Sequence, residues 1–261
     1  MRLLILPLIL IFSCVTGKTA VGADVIDYFI DNAGREYYLL ANDRFITDNQ
    51  LGKNQFSYYD SSLGAPASID VSDPFAILLF YPEYGTVVVL DRTLSEVSRI
   101  DLFSLENIRQ PEALARASNR GIWVFDSWDY RLKLLDPQGN RTLQSNDLRL
   151  QLKTSTAPHA IYVDRGTVLL HYAEENELAV FTNYGRFERW VTLPPAEHFG
   201  WRAPYLTGSF STGYWTYRTG NSEAGPQVLS KLKGKLFAGP EGTYYLDDLG
   251  TTQIKAKKER N

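Results

Sequence analysis

GIWVFDSWDYRLKLLDPQGN, residues 121–140, decides the fold. Ile122–Phe125 and Arg131–Leu135 are short runs of β-branched, leucine and aromatic side chains. The first is followed by Asp126-Ser127-Trp128-Asp129 and the second by Asp136-Pro137-Gln138-Gly139, both rich in turn formers. Short apolar runs bounded by Asp, Pro, Asn and Gly read as strands joined by tight turns. Outside the first thirteen residues no stretch carries a helical period of apolar residues.

The pattern recurs on both sides of this segment. PASIDVSDPFAILLFYPEYGTVVVLDRTL starts at Pro66, PEALARASNRGIWVFDSWDYRLKLLDPQG at Pro111 and PHAIYVDRGTVLLHYAEENELAVFTNYG at Pro158. Ile77 and Ile122 are 45 positions apart, and Ile122 and Val168 are 46 apart. Asp91, Asp136 and Thr182 fall at equivalent places, as do Leu94, Gly139 and Gly185. Each unit predicts four strands. A first strand carries Ile69, Leu114 or Ile161, and a second spans 77–80, 122–125 or 168–171. A third spans 86–90, 131–135 or 177–181, and a more polar fourth 97–102, 142–148 or 188–193. A polar fourth strand suits a sheet edge in water.

A period of this length predicts a repeat architecture, and a ring protects its sheet edges by closing on itself. The expectation is therefore an all-β fold, a small β-propeller of four-stranded blades. Residues 36–60 supply the last three strands of one further unit, 235–257 the first three of another, and 204–220 a degenerate one. That counts six blades if the degenerate unit is complete and five if it is absorbed. Closure is expected through Val25–Ile30 completing the last blade. The second unit resembles the NHL/TolB-like propeller repeat, whose blades run strand, Asp, loop, strand, Asp-x-x-Gly. The chain as a whole is similar to lipoproteins of Bacteroidetes-type bacteria, a likeness that implies no activity.

MRLLILPLILIFS (1–13) has a positive start and an apolar run too short to span a bilayer, as in a secretory signal. Ile11-Phe12-Ser13 before Cys14, the single cysteine of the chain, resembles a bacterial lipobox, which implies lipidation at Cys14. Ordinary cleavage after Val21-Gly22-Ala23 is the competing reading. The expected organisation is a signal peptide (1–13), a lipidated cysteine and tether (14–24), a propeller (25–257) and a charged tail (258–261). Residues after Cys14, Val-Thr-Gly-Lys-Thr, lack the acidic pair that resembles a surface-export signal. The expected location is the outer membrane, facing the periplasm.

Formal net charge is −3, which gives no electrostatic ground for a nucleic-acid partner. His159, His171 and His198 have no ligand-spaced partners in sequence, so no metal or cofactor is expected. No nucleophile elbow, phosphate loop or dinucleotide fingerprint is present. The connections between second and third strands should open together on one face, expected around the mouth of the channel. They carry Glu83 and Tyr84, Asp126, Trp128 and Asp129, Glu174 and Glu175, and Asp247 and Asp248. An acidic, aromatic face on a tethered platform predicts a non-enzymatic binding or scaffold module for an envelope protein partner. The alternative is a sugar- or lactone-acting enzyme, or a calcium-dependent binder, using the same carboxylates. Asp and Asn at strand ends also serve as turn formers alone.

Overall fold

The computed structural model describes residues 25–47, 56–152, 156–220, 225–227, 234–239, 242–247 and 250–254. Cys14 and the segments expected as signal peptide, tether and charged tail lie outside them. The chain folds into five four-stranded antiparallel sheets and a sixth sheet of three strands among the described residues. Each sheet is a blade built in chain order.

In blade two the strands are Ser68–Asp70, Ile77–Tyr81, Thr86–Leu90 and Glu96–Asp101. Blade three has Pro111–Arg116, Ile122–Asp126, Arg131–Leu135 and Arg141–Gln144. Blade four has Ala160–Asp164, Thr167–Tyr172, Glu177–Thr182 and Phe187–Thr192. The degenerate segment forms a full blade five: His198–Arg202, Tyr205–Phe210, Gly213–Arg218 and Gly225–Gln227. Blade six contains Leu236–Gly239, Gly242–Asp247 and Gly250–Ile254.

Closure differs from the expectation. Val25–Ile30 pairs with Glu36–Leu40, placing Tyr28 opposite Tyr38, and so supplies the first strand of blade one. It does not complete the last blade. The ring closes through side chains: Phe237 and Tyr244 of blade six pack with Tyr28, Ile30, Tyr38 and Ile46 of blade one. Phe237 meets Tyr28 edge to face at 5.4 Å.

Strand alternation explains the continuous apolar runs. Successive side chains of a strand point to opposite faces, and the middle strands of blades two to four are covered on both. Ile77, Leu79 and Tyr81 meet blade one, whereas Leu78 and Phe80 meet Leu114, Ile122 and Val124 of blade three. Trp123 and Phe125 point the other way, onto Ile161, Val168 and Leu170 of blade four. Leu169 and Val180 then face Leu206 and Trp215 of blade five. Burying one such large side chain stabilises the fold by about 2–3 kcal/mol, so the inter-blade seams are the core. The fourth strand Glu96–Asp101 is mostly exposed, as its polarity predicts.

The equivalence of Asp91, Asp136 and Thr182 has a physical cause. Asp91 Oδ1 accepts the amides of Thr93 and Ser95, and Asp136 Oδ1 those of Gln138 and Asn140. Thr182 Oγ1 accepts those of Tyr184 and Arg186 at 3.3 Å. Each side chain closes the turn into the fourth strand. Leu94, Gly139 and Gly185 all take positive φ there, at 57°, 86° and 71°.

His171 is fully buried between blades four and five. Its ring lies 4.4 Å from Phe199, and Tyr162 and His159 stand beside it. Burial, and secondarily His159, pushes its pKa down to about 3. The unfolded chain takes up a proton near the ordinary histidine value of 6.5, whereas the folded chain resists until about 3. Stability from this site is therefore present above pH 6.5 and lost on acidification, by up to about 1.4 kcal/mol per pH unit. Denaturant unfolding between pH 7 and pH 5, where carboxylates stay charged, should show wild type losing stability and His171→Phe losing clearly less. Equal slopes would remove His171 as the cause.

Candidate functional site: two opposed loop faces

One face of the ring carries the connections between second and third strands together with those between blades. Glu83 and Tyr84 occupy the short helical turn Pro82–Tyr84, closed by Gly85 at φ 57°. The Phe103 ring fills the space beside Gly85, where a Cβ would lie 2.6 Å from Phe103 Cδ2, so Tyr84 and Phe103 adjoin. Both are about half exposed, and Trp128 is 60% exposed with the Arg109 guanidinium 5.3 Å from its ring centre.

Asp126 and Asp129 have other work. Asp126 is fully buried, and its carboxylate accepts the amides of Arg109 (3.0 Å), Gln110 (2.9 Å) and Trp128 (3.2 Å). Lys133 Nζ, itself enclosed, lies 2.7 Å from Asp126, 2.8 Å from Asp129 and 2.7 Å from the Asn107 carbonyl. Burial alone would raise the Asp126 pKa. The bonds from Lys133, Gln110 and Arg109 outweigh it and hold the carboxyl below its usual value. The pair pins the connection between blades two and three to blade three, fixing Arg109 and Trp128 side by side.

Glu174 and Glu175 are exposed in the turn of blade four, where Glu175 accepts a hydrogen bond from Thr156 Oγ1 at 2.6 Å. Asp247 ends the strand Gly242–Asp247, and Asp248 lies outside the described residues. The described turns that carry the expected rim share one face, but Glu83, Tyr84, Asp126, Trp128, Asp129, Glu174 and Glu175 do not line the axial cavity. They stand further out because second and third strands lie outside the innermost one.

Tyr59, Phe103 and Leu150 were not foreseen. All three sit in connections between blades on this same face. Of nine exposed large apolar side chains among the described residues, five are here: Tyr59, Tyr84, Phe103, Trp128 and Leu150. A signal existed. Asp101-Leu102-Phe103 and Asp147-Leu148-Arg149-Leu150 each begin with an aspartate capping the next turn. Each then buries its first leucine completely, leaving the second apolar residue outside.

Along the axis the innermost strands enclose a narrow cavity of about 100 Å³ lined by Phe29, Ile69, Leu114, Ile161, Trp201 and Phe237. Lys235, paired with Asp27 at 3.0 Å and lying 4.1 Å from the centre of the Phe29 ring, and His159 also border it. On the face opposite the acidic rim the axis widens into a funnel of about 780 Å³. Asn32, Ser72, Arg202 and Ala203 line both spaces. Among the described residues no three His, Cys, Asp or Glu side chains are grouped to hold a metal ion.

Solved structures share this arrangement. The chain is similar to virginiamycin B lyase from Staphylococcus aureus, with 11% identity over 88% of this chain and 79% of that one, at a TM-score of 0.58. A streptogramin B lyase covers 93% and is covered to 86%, with 13% identity and a TM-score of 0.57. The WD40 domain of Neurospora crassa Pan2 gives 8% identity, 91% and 80% coverage and a TM-score of 0.56. The fold is a β-propeller. Identities this low carry the fold and no activity. No protein-family profile matches the chain, and no curated protein sequence matches it.

Proposed function

We propose that this chain is a non-enzymatic binding propeller of the bacterial envelope, using its acidic, aromatic face to dock a protein partner. In this reading Cys14 carries the lipid, residues 15–24 form the tether, and the ring stands on the periplasmic side of the outer membrane. NHL/TolB-like kinship belongs to the same proposal, on the strand, Asp, loop, strand pattern of residues 121–140.

The observation that carries it is the arc of Tyr84, Phe103 and Trp128 exposed on rigid turns of one face. Exposed aromatics concentrate binding energy at protein interfaces, and side chains already fixed lose little entropy on docking. Exposed Glu83, Glu174 and Glu175 nearby favour a partner whose contact surface is apolar at its centre and basic at its edge. An acid–base site built on Asp126 and Asp129 has little support, because Lys133 engages both.

The test is Tyr84→Ser, Phe103→Ser, Trp128→Ser in one chain, expressed in the native cells and recovered after crosslinking. The partner recovered with wild type should fall at least about tenfold, a loss of roughly 1.4 kcal/mol or more, while the melting temperature stays close to wild type. Undiminished recovery with an intact fold would refute this face as the docking surface.

A further inference from the structure

The funnel opposite the acidic rim has its own chemistry. Five arginines line it, Arg116, Arg120, Arg165, Arg202 and Arg218, in a chain whose formal net charge is −3. Two aspartates among the described residues share the wall, and both are engaged locally. Asp73 accepts the Phe75 amide at 2.9 Å, and Asp164 accepts the Thr219 hydroxyl.

We propose that this funnel binds a small anion carrying at least two oxyanion groups, carboxylate or phosphate. Arg202 is buried at the place where funnel and axial cavity meet. It donates to the Asn32 carbonyl at 3.2 Å and stands 5.5 Å from the centre of the Tyr244 ring. Blade six accommodates it with Gly239, where a Cβ would lie 2.1 Å from Arg202 Nη1. Arg116 is held by the carbonyls of Arg120 (2.9 Å) and Ala76 (2.8 Å), and its buried Nε–H has no acceptor among the described residues. Arg120, Arg165 and Arg218 are exposed on the rim and make no ion pair among the described residues.

Folding alone explains little of this. Like charges gathered in one concavity repel, and their natural neutraliser is a ligand of opposite sign. Guanidinium forks match oxyanions in two-point hydrogen bonds, and several arginines converging on one concavity favour a multiply charged anion over a single one. The volume of about 780 Å³ falls within the range of small-molecule sites. The axial cavity beyond is much narrower and mostly apolar, so the ligand stops at Arg202. This site lies on the face away from the proposed docking surface, and either can fail without the other.

Calorimetric titration of the purified protein with citrate and with inorganic pyrophosphate, repeated in ~0.15 M salt, tests the proposal. Saturable one-site binding of at least one probe is expected. Arg120→Gln, Arg165→Gln, Arg218→Gln together should weaken it about tenfold or more. Arg44→Gln, Arg141→Gln, Arg149→Gln remove the same charge away from the funnel and should leave affinity within about twofold. Should the triple variant fold poorly, Arg165→Glu alone serves, and it should weaken binding more than Arg165→Gln. No saturable binding, equal loss in both triple variants, or binding confined to vesicles containing phosphatidylglycerol would each overturn the small-anion site.

Discussion

Lys133→Met should lower the melting temperature by on the order of 10 °C, far beyond the effect of a surface substitution. Lys133 is 2% exposed and Asp126 is not exposed at all, so the substitution leaves a carboxylate stranded in the protein interior. Removing one partner of a buried ion pair costs about 3–5 kcal/mol, and each kcal/mol shifts a domain of this size by about 2–4 °C. Lys133→Met combined with Asp126→Asn should recover part of the loss, because an amide can still meet some of the backbone donors without a stranded charge. Acid should act in the same place. Asp126 titrates below its unfolded value, so its contribution is present above the ordinary aspartate range and is lost as pH falls through the folded value. Asp126→Asn should accordingly flatten the acid limb of the stability curve. The proposed docking face depends on this pair, because Asp126 accepts the amides of Arg109 and Trp128. Thermal melts decide the point. A Lys133→Met protein melting with wild type would show that the pair holds nothing.

The second large effect is expected at Gly200→Val. Gly200 lies in the innermost strand of blade five, where a Cβ would be 2.0 Å from the Leu236 carbonyl oxygen of blade six. Backbone cannot swing aside as a flexible side chain can. The Thr207 hydroxyl bonds to that same carbonyl and lies 3.1 Å from the carbonyl of Gly200. Overpacking costs about 1–3 kcal/mol for a methyl-sized intrusion, and a branched residue against main chain exceeds that. The joint is vulnerable, since among the described residues the buried cluster between these blades is Tyr214 and Leu236, with Tyr245 packed against it. Gly200→Val should therefore open the ring here first. Limited proteolysis should remove the segment after Leu236 early, before the rest of the chain is cut. A variant as resistant as wild type would contradict this close approach.

The sequence made blades two to four legible because their second strands bury both faces and read as apolar runs, as in Ile77–Phe80 and Ile122–Phe125. The turns into the fourth strand were equally readable, since one Asp or Thr side chain closes each. Closure was misjudged for a reason also visible in residues. Val25–Ile30 suits either the missing fourth strand of the last blade or the first strand of blade one, and only its pairing with Glu36–Leu40 places it. Asp126, expected in the loop, ends the strand Ile122–Asp126 and points inward, and residue type alone does not reveal that direction. A lysine seven positions later looks like surface charge until the strands bring it under the turn. The funnel was hard to read because its arginines come from three different blades: Arg120 and Arg165 stand one 45-residue period apart, but Arg116, Arg202 and Arg218 fit no such spacing.

The most direct test of the docking account is photocrosslinking in the native cells, with a photoreactive amino acid placed singly at Tyr84, Phe103 or Trp128. Phe75 and Tyr184, exposed on the opposite face, are the controls. The account predicts one discrete crosslinked product, shared by positions 84, 103 and 128 and absent at 75 and 184. Products of equal yield on both faces, or none at position 128, would contradict it.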